Sequence, residues 1–173
     1  MPLVLAADPG TTATKVAIVD SQGRVLAQAE SPNPVLRPEQ GAAEHHPEHL
    51  WTNLARLTAA LPSRLRDRVQ AVTLAGYQLS LLALDDTHRP LTGIMTLLDG
   101  RSQETYEGFR KTLDPDRLYR ATGCPPVAQY PLAKVYWLRK PRPAIFKRTS
   151  MFLGGKDWLL LKLTGRTITE APC

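Results

Sequence analysis

The chain opens with two apolar runs on either side of a polar turn, in the stretch Leu3-Val4-Leu5-Ala6-Ala7-Asp8-Pro9-Gly10-Thr11-Thr12-Ala13-Thr14-Lys15-Val16-Ala17-Ile18-Val19-Asp20. Residues 3–7 and 16–19 are apolar and of strand length, so each run predicts a buried β-strand. An acid, a glycine, three threonines and a lysine lie between the two runs. We therefore expect two neighbouring strands joined by a turn that carries chemically active groups.

The composition of this turn favours phosphate binding. Gly10 allows the backbone to turn sharply and to approach a ligand closely, and successive backbone N–H groups in such a turn form an anion-binding concavity. The hydroxyls of Thr11, Thr12 and Thr14 add hydrogen-bond donors. Lys15 adds a compact positive charge suited to phosphate.

Asp8, at the end of the first run, is a candidate ligand for Mg²⁺, because that ion usually takes one or two carboxylates together with phosphate oxygens. The Walker A pattern Gly-x-x-x-x-Gly-Lys-Ser/Thr is absent. A plain β-hairpin with a polar turn is the alternative interpretation, since the motif is short.

Length and composition indicate one globular domain with a substantial core. The chain has 173 residues, of which 43% are hydrophobic and 22% charged. No apolar run approaches the roughly 20 residues that a membrane span needs, and the N-terminus lacks the pattern of a secretory signal. The two cysteines, Cys124 and Cys173, have no metal-ligand spacing and suit reduced thiols in a cytoplasmic protein.

The formal net charge is +6, which raises nucleic acid as a partner. The arginines are scattered, however, and few aromatic residues accompany them. A solvated basic face is therefore favoured over a nucleic-acid surface, and nucleotides or sugar phosphates are equally compatible with the charge.

The remaining pattern alternates helices and strands, which is typical of an α/β fold. Residues 1–31 predict an antiparallel meander of three strands, and residues 32–47 a proline-rich loop. The loop ends in Glu44-His45-His46, but adjacent histidines point in different directions, so a metal site is not favoured. Further strands are predicted at 69–75, 79–84, 93–98 and 150–153, and helices at 47–61, 102–113 (capped by Ser102), 115–119, 132–138, 143–147 and 156–163.

Five stretches in order resemble the N-terminal domain of the FGGY carbohydrate kinases, a family that includes xylulose, gluconate, glycerol and ribulose kinases. Asp8-x-Gly10-Thr11-Thr12-x-x-Lys15 resembles the family's phosphate loop, and Glu44-His45-His46-Pro47-Glu48-His49-Leu50-Trp51 its Glu-Gln-Asp-Pro-x-x-Trp-Trp stretch. The other three stretches are Leu84-Asp85-Asp86-x-x-Arg89-Pro90-Leu91 with Asp99-Gly100-Arg101, Thr122-Gly123 with Lys134-x-x-Trp137-Leu138, and Leu153-x-x-Lys156-Asp157-x-Leu159-x-x-x-Leu163-Thr164-Gly165.

The resemblance implies an actin-like, RNase H-like α/β fold with a mixed β-sheet flanked by helices. It also implies ATP and Mg²⁺ as cofactors and a sugar as the substrate. Asp8 would coordinate Mg²⁺, and Gly10, Thr11, Thr12 and Lys15 would meet the ATP phosphates. These roles agree with those inferred from the residues themselves.

For the sugar site, the resemblance indicates Tyr77, Gln78, Asp99 and Arg101. The family usually places a polar pair, such as Met-His or Arg-Glu, after its Gly-Gln or Asn-Gln, whereas here Leu79 follows Gln78. Leu97 likewise replaces the family's tryptophan. A purely structural role is the alternative, with Asp99 as a turn residue and Arg101 as an ion pair at a helix start.

Residues 1–173 are thus interpreted as the N-terminal domain, truncated before the second domain. The resemblance places the catalytic base downstream of Cys173, in a missing C-terminal domain, so this chain alone would be inactive. Xylulose is the first expected acceptor, from Gly100 and the Gly123-Cys124-Pro125 turn, and gluconate or another polyol is next. A homodimer is compatible with the family, no membrane or nucleic acid is expected as a partner, and a non-catalytic sugar- or nucleotide-binding domain is the alternative.

Overall fold

The computed structural model describes residues 2–169, and Cys173 lies outside them. Two compact units make up the chain: residues 1–35 with 45–77, and residues 36–44 with 78–173. The strands are β1 (Leu3–Pro9), β2 (Ala13–Asp20), β3 (Val25–Pro32), β4 (Glu44–His45), β5 (Val69–Leu74), β6 (Leu82–Leu84), β7 (Ile94–Met95) and β8 (Met151–Leu153). The helices are α1 (Pro47–Ala60), α2 (Ser63–Arg66), α3 (Tyr106–Lys111), α4 (Pro115–Thr122), α5 (Pro131–Arg139), α6 (Pro143–Arg148) and α7 (Gly155–Thr164), with a 3₁₀ helix at Arg101–Thr105.

The first unit is built on a four-stranded mixed sheet in the order β3-β2-β1-β5. Strands β1, β2 and β3 form the predicted antiparallel meander, and β5 pairs with β1 in parallel. A parallel neighbour requires a crossover, and here the connection from β3 to β5 contains helix α1. The mixed sheet with a flanking helix is the expected fold class.

Alternation along β1 and β2 gives this sheet two different faces. Leu3, Leu5 and Ala7 are buried on one face, where Val16 and Ile18 of β2 join them. Helix α1 packs against this part of the sheet and buries the leucines of its apolar stripe, as its spacing predicts. They are Leu50, Leu54 and Leu57.

The opposite face carries small and charged side chains. In register across β1 and β2, Ala6 pairs with Ala17 and Asp8 with Lys15, and Lys15 pairs in turn with Glu30 of β3. Small side chains leave space, so the charged residues of this face are positioned along a cavity rather than in a packed core.

The second unit combines short strands with the remaining helices. Strands β6 and β8 pair antiparallel, and a cluster around Leu81, Met95, Trp137 and Leu138 forms its core. Helix α7 ends at Gly165, which has a φ of +69° and is therefore the predicted left-handed C-cap. The Ser80 hydroxyl accepts a hydrogen bond from the Gly155 N–H at the start of this helix, at 2.9 Å.

Two local predictions are corrected by the structure. Ser102 does not cap a helix at 102–113: it lies inside the 3₁₀ helix, and its buried hydroxyl donates to the Ala128 carbonyl at 2.5 Å. The strand predicted at 79–84 begins only at Leu82, because Leu79 has a positive φ of +57°, which no strand accommodates. The other predicted elements lie within a few residues of their predicted bounds, whereas β4 and α2 were not predicted.

Within the described part of the chain, every helix is too short or too polar to cross a membrane.

Candidate active site

The candidate phosphate loop, residues 8–15, is the turn between β1 and β2. The Gly10 N–H donates to the Asp8 carbonyl at 3.0 Å and to the Ala13 carbonyl at 2.9 Å. A Cβ atom at Gly10 would lie 3.1 Å from the Ala13 oxygen. A side chain at this position would press against the Ala13 carbonyl, so glycine suits the closeness of the turn itself, in addition to any approach of a ligand.

Asn33 is the side chain that fixes this loop, and the sequence analysis did not identify it. Its amide donates to the Gly10 carbonyl at 2.7 Å, and its backbone N–H donates to the Thr12 carbonyl at 2.9 Å. Its side-chain oxygen accepts from the Thr14 hydroxyl at 3.0 Å and from the Asn53 amide at 3.1 Å. Asn33 is buried, so these bonds stabilise one conformation of the loop.

The fixed loop keeps two donors available. The backbone N–H groups of Thr11 and Thr12 form no hydrogen bond with any residue between 2 and 169. Thr12 is exposed and Thr11 half-buried. Adjacent free N–H groups in a rigid turn are the arrangement that binds anions.

Asp8 and Lys15 face each other across β1 and β2 and line one cavity of about 670 Å³ on the sheet. Lys15 makes no ion pair with the described residues, so its charge is available to a ligand. Gly76, with a φ of +76°, lies so close to Asp8 that a Cβ atom there would be 3.0 Å from the carboxylate. The structure therefore places Asp8 and Lys15 on one cavity of the first unit, on the two strands that the loop with the free N–H groups joins.

The described residues contain no cluster of three or more His, Cys, Asp or Glu side chains that could hold a metal ion. The Asp8 carboxylate on a phosphate-type cavity nonetheless fits Mg²⁺, which takes few protein ligands when phosphate supplies the others.

Tyr77 is buried and its hydroxyl is hydrogen-bonded to Nδ1 of His45. Burial raises the pKa of Tyr77, so the phenol stays protonated. Both residues belong to the first unit. Tyr77 is a candidate for sugar binding, but its hydroxyl already has a hydrogen-bond partner within the protein.

Gln78 and Leu79 line a cavity of about 600 Å³ in the second unit, along with Cys124, Tyr130 and Leu132. Gln78 is exposed, so its amide is free to meet a ligand there. The rest of the lining is largely apolar, which differs from the many hydrogen-bonding groups that a polyhydroxylated sugar needs.

Lys134 is the most buried cation of the second unit, with 1% of its surface exposed. Its ammonium donates to the Leu79 carbonyl at 2.6 Å and to the Thr96 carbonyl at 2.7 Å. Burial lowers the pKa of Lys134 to about 8, although Asp99 raises it in part. Lys134 thus joins α5 to two loop segments, one of which adjoins Gln78.

Asp99 and Arg101 are held in a buried charge cluster. The Asp99 carboxylate accepts from the Ala43 N–H at 3.1 Å and pairs with the Arg101 guanidinium at 2.7 Å. Arg101 also pairs with Glu39 at 2.7 Å and with Glu44. Burial lowers the pKa of Arg101, but its hydrogen bonds to the three carboxylates raise it above the ordinary value.

This cluster leaves Arg101 little capacity for a substrate, because four of its five N–H groups are already used. The guanidinium also lies 4.7 Å from the centre of the Trp137 ring. These contacts agree with the structural alternative for Arg101, and its assignment to the sugar site stays a prediction. The partners Glu39 and Glu44 lie about 60 residues earlier in the chain, which no local pattern could reveal.

Comparisons with known proteins give matches over nearly the whole chain. The model of the FGGY family of carbohydrate kinases, N-terminal domain, matches residues 3–172. Gluconokinase of Bacillus subtilis (strain 168) is 26% identical over 168 residues, which are 96% of this chain and 33% of the relative. Xylulose kinase of Lactococcus lactis subsp. lactis (strain IL1403) is 27% identical over 173 residues, covering 98% of this chain and 34% of the relative.

Among solved structures, the xylulose kinase from Rhodospirillum rubrum matches with a TM-score of 0.88 and 27% identity, over 97% of this chain and 35% of that protein. The gluconate kinase from Lactobacillus acidophilus matches with a TM-score of 0.86 and 23% identity, over 97% of this chain and 34% of that protein. The expected actin-like fold is confirmed, and the chain spans about a third of the length of these relatives. The chain belongs to the FGGY family of carbohydrate kinases, and its residues correspond to the N-terminal domain of that family.

Proposed function

We propose that this chain is the phosphate-binding part of a carbohydrate kinase that transfers the γ-phosphoryl group of ATP to a sugar hydroxyl. The observation that carries the proposal is the rigid turn with free N–H groups at Thr11 and Thr12, together with Asp8 and Lys15 on one cavity. In phosphoryl transfer the protein mainly positions groups and neutralises charge, and this loop offers both functions.

Each residue of the loop has a distinct role in the proposal. The N–H groups and hydroxyls of Thr11 and Thr12 hydrogen-bond phosphate oxygens, and Lys15 neutralises their charge. Gly10 keeps the turn tight, because a Cβ atom there would lie 3.1 Å from the Ala13 carbonyl oxygen. Asp8 is the residue that would hold Mg²⁺, and the ion, when bound, supplies charge neutralisation at the phosphates.

For the sugar, the proposal retains Gln78, Tyr77, Asp99 and Arg101 as candidates, with Gln78 first because it is exposed beside a cavity. Gluconokinases, xylulose kinases and glycerol kinases among the relatives support a sugar or polyol acceptor. Xylulose is the first choice and gluconate the second. We also propose a cytoplasmic protein whose catalytic base comes from a C-terminal domain.

The test has two parts. Titration calorimetry of the 173-residue chain with Mg·ADP is expected to show binding that Lys15→Ala abolishes and that the exposed-site control Lys111→Ala preserves. The complete gene product, assayed for ADP release with xylulose, gluconate, ribulose and glycerol, is expected to phosphorylate one of them. Absence of Mg·ADP binding, or binding unaffected by Lys15→Ala, would contradict the proposed role of the loop.

A non-catalytic nucleotide- or sugar-binding domain is the second candidate. It is favoured by Leu79, which offers no hydrogen bond to a sugar at a position where the family pattern is polar, and by the occupied guanidinium of Arg101. Mg·ADP binding by the complete gene product, without phosphoryl transfer to any acceptor of the panel, would support this candidate over the kinase.

A further inference from the structure

His45 is a buried side chain to which the proposed function gives no role. Only 3% of its surface is exposed, and Nδ1 is hydrogen-bonded to the Tyr77 hydroxyl. The two rings meet edge to face, with 5.7 Å between their centres and 80° between their planes. The other ring nitrogen, Nε2, is also buried, yet it makes no hydrogen bond to the residues that the structure describes.

The backbone of Thr11 lies near the His45 ring and acts on its charge. Burial lowers the pKa of His45, the backbone of Thr11 raises it in part, and His49 lowers it further. A backbone N–H would favour the neutral ring and lower the pKa, whereas a carbonyl favours the protonated donor and raises it. Because Tyr77 occupies Nδ1, Nε2 is the ring nitrogen left for the Thr11 carbonyl.

The position of the Thr11 carbonyl controls one of the free donors of the phosphate loop. In a trans peptide, the carbonyl of one residue and the N–H of the next point in opposite directions. The peptide between Thr11 and Thr12 therefore turns its N–H away from the ring when its carbonyl turns toward the ring. Asn33 already holds the carbonyls of Gly10 and Thr12, so the Thr11 carbonyl is the one left for His45 to hold.

We propose that His45 is a positioning residue of the phosphate loop. The Tyr77 hydroxyl donates to Nδ1, which leaves the proton of the neutral ring on Nε2. With an anion bound, the Nε2–H donates to the Thr11 carbonyl, and this bond holds the Thr12 N–H on the side of the anion. This inference rests on the proposed function, because it assumes that the loop binds phosphate.

The first measurement uses the unmodified chain and needs no variant. Nitrogen-15 NMR of the histidine rings distinguishes a proton on Nε2 from one on Nδ1. We expect His45 to carry its proton on Nε2, and we expect the Nε2 resonance to shift when inorganic pyrophosphate with Mg²⁺ is added. A proton on Nδ1 would overturn the inference, since Nε2 could then not donate.

The second measurement compares variants in pyrophosphate binding by calorimetry. His45→Leu removes the donor and is expected to weaken binding about tenfold, as for the loss of one hydrogen bond to the loop. His45→Gln supplies an amide N–H and is expected to restore binding to within about threefold. His88→Asn is the control, because His88 is exposed in a turn with a φ of +61° that asparagine tolerates.

The outcomes separate this inference from the proposed function. If Lys15→Ala abolishes binding while His45→Leu binds as tightly as the unmodified chain, the loop binds phosphate and the role of His45 is wrong. If the unmodified chain binds no pyrophosphate, the proposed phosphate binding by the loop and the role of His45 are both wrong. If His45→Leu and His45→Gln weaken binding equally, the ring acts only through packing and the inference is overturned.

Discussion

At the residue scale, the loop could be located from the sequence but the side chain that fixes it could not. Gly10, the threonines and Lys15 stand together in the chain, and their types indicate phosphate. Asn33 lies about 20 residues away from its partners Gly10 and Thr14, in a segment with no periodic pattern. Its role depends on the pairing of β2 with β3, which only the folded chain reveals.

Asn33→Ala is expected to destabilise the protein by about 3 kcal/mol, because it leaves the Gly10 carbonyl, the Thr14 hydroxyl and the Asn53 amide without a partner. Asn53→Ala removes only one bond of the cluster and should cost about 1 kcal/mol. Urea unfolding measures both changes, and calorimetry with Mg·ADP should show weaker binding for Asn33→Ala alone. Equal effects of the two variants would contradict the central position of Asn33.

Gly76→Ala tests the approach of the backbone to Asp8, because it adds a Cβ atom 3.0 Å from the carboxylate. Gly23→Ala is the matched control, since Gly23 has nearly the same φ, +78°, but open space around it. Both variants should lose about 1–2 kcal/mol of stability from the left-handed backbone.

Only Gly76→Ala is expected to displace Asp8, and therefore to weaken the binding of Mg·ADP relative to that of ADP without Mg²⁺. Calorimetry with and without Mg²⁺ provides the measurement. If Gly23→Ala and Gly76→Ala show the same Mg²⁺ dependence, Asp8 has no part in holding the ion.

At the element scale, the elements with strong periodicity or capping signals were predicted and those without such signals were not. Helix α1 has a leucine stripe, and α7 ends at a glycine, so both lie close to their predicted bounds. The strand after the interruption at 76–78 was predicted to begin at Leu79, too early, because an apolar side chain does not reveal the positive φ of Leu79. Such backbone conformations are imposed by tertiary contacts rather than by local preference.

Lys134 anchors α5 to the carbonyls of Leu79 and Thr96. Its titration should therefore make the free energy of unfolding depend on pH. Burial lowers the pKa of Lys134 to about 8 from its ordinary value of 10.5, while Asp99 raises it in part and Arg101 lowers it further. Between these two pH values the unfolded state binds more protons than the folded state, so the free energy of unfolding should rise with pH.

The expected rise is about 1.5 kcal/mol between pH 7.5 and 9.5. Above about pH 10, Tyr77 opposes it, because its raised pKa favours the protonated, folded state. Urea unfolding at several pH values should show the rise in the unmodified chain and in the exposed-site control Lys111→Met, but not in Lys134→Met. A rise that persists in Lys134→Met would assign it to other groups.

At the scale of the whole molecule, the positive net charge is compatible with several anionic ligands, and composition does not reveal the arrangement of the chain. The sequence indicates one domain, within which the structure distinguishes two compact units. The chain passes from one unit to the other after residues 35, 44 and 77. The net charge of +6 attracts any anion. The dependence of binding affinity on salt concentration therefore distinguishes a nucleotide ligand from a nucleic acid.

Salt should lower the affinity for a nucleotide only moderately, because backbone N–H groups and a single lysine charge hold it. A polynucleotide on a scattered basic surface should lose about 10³–10⁵ in affinity between 50 and 200 mM salt if it makes 6–10 phosphate contacts. We expect Mg·ADP binding to weaken less than about tenfold over this range, and any binding of a fluorescent single-stranded RNA or DNA to disappear. Lys15→Ala should abolish the first and leave the second unchanged, because the charge of Lys15 matters only in the loop. Tight RNA binding that persists at 200 mM salt and depends on Lys15 would instead make the loop part of a nucleic-acid surface.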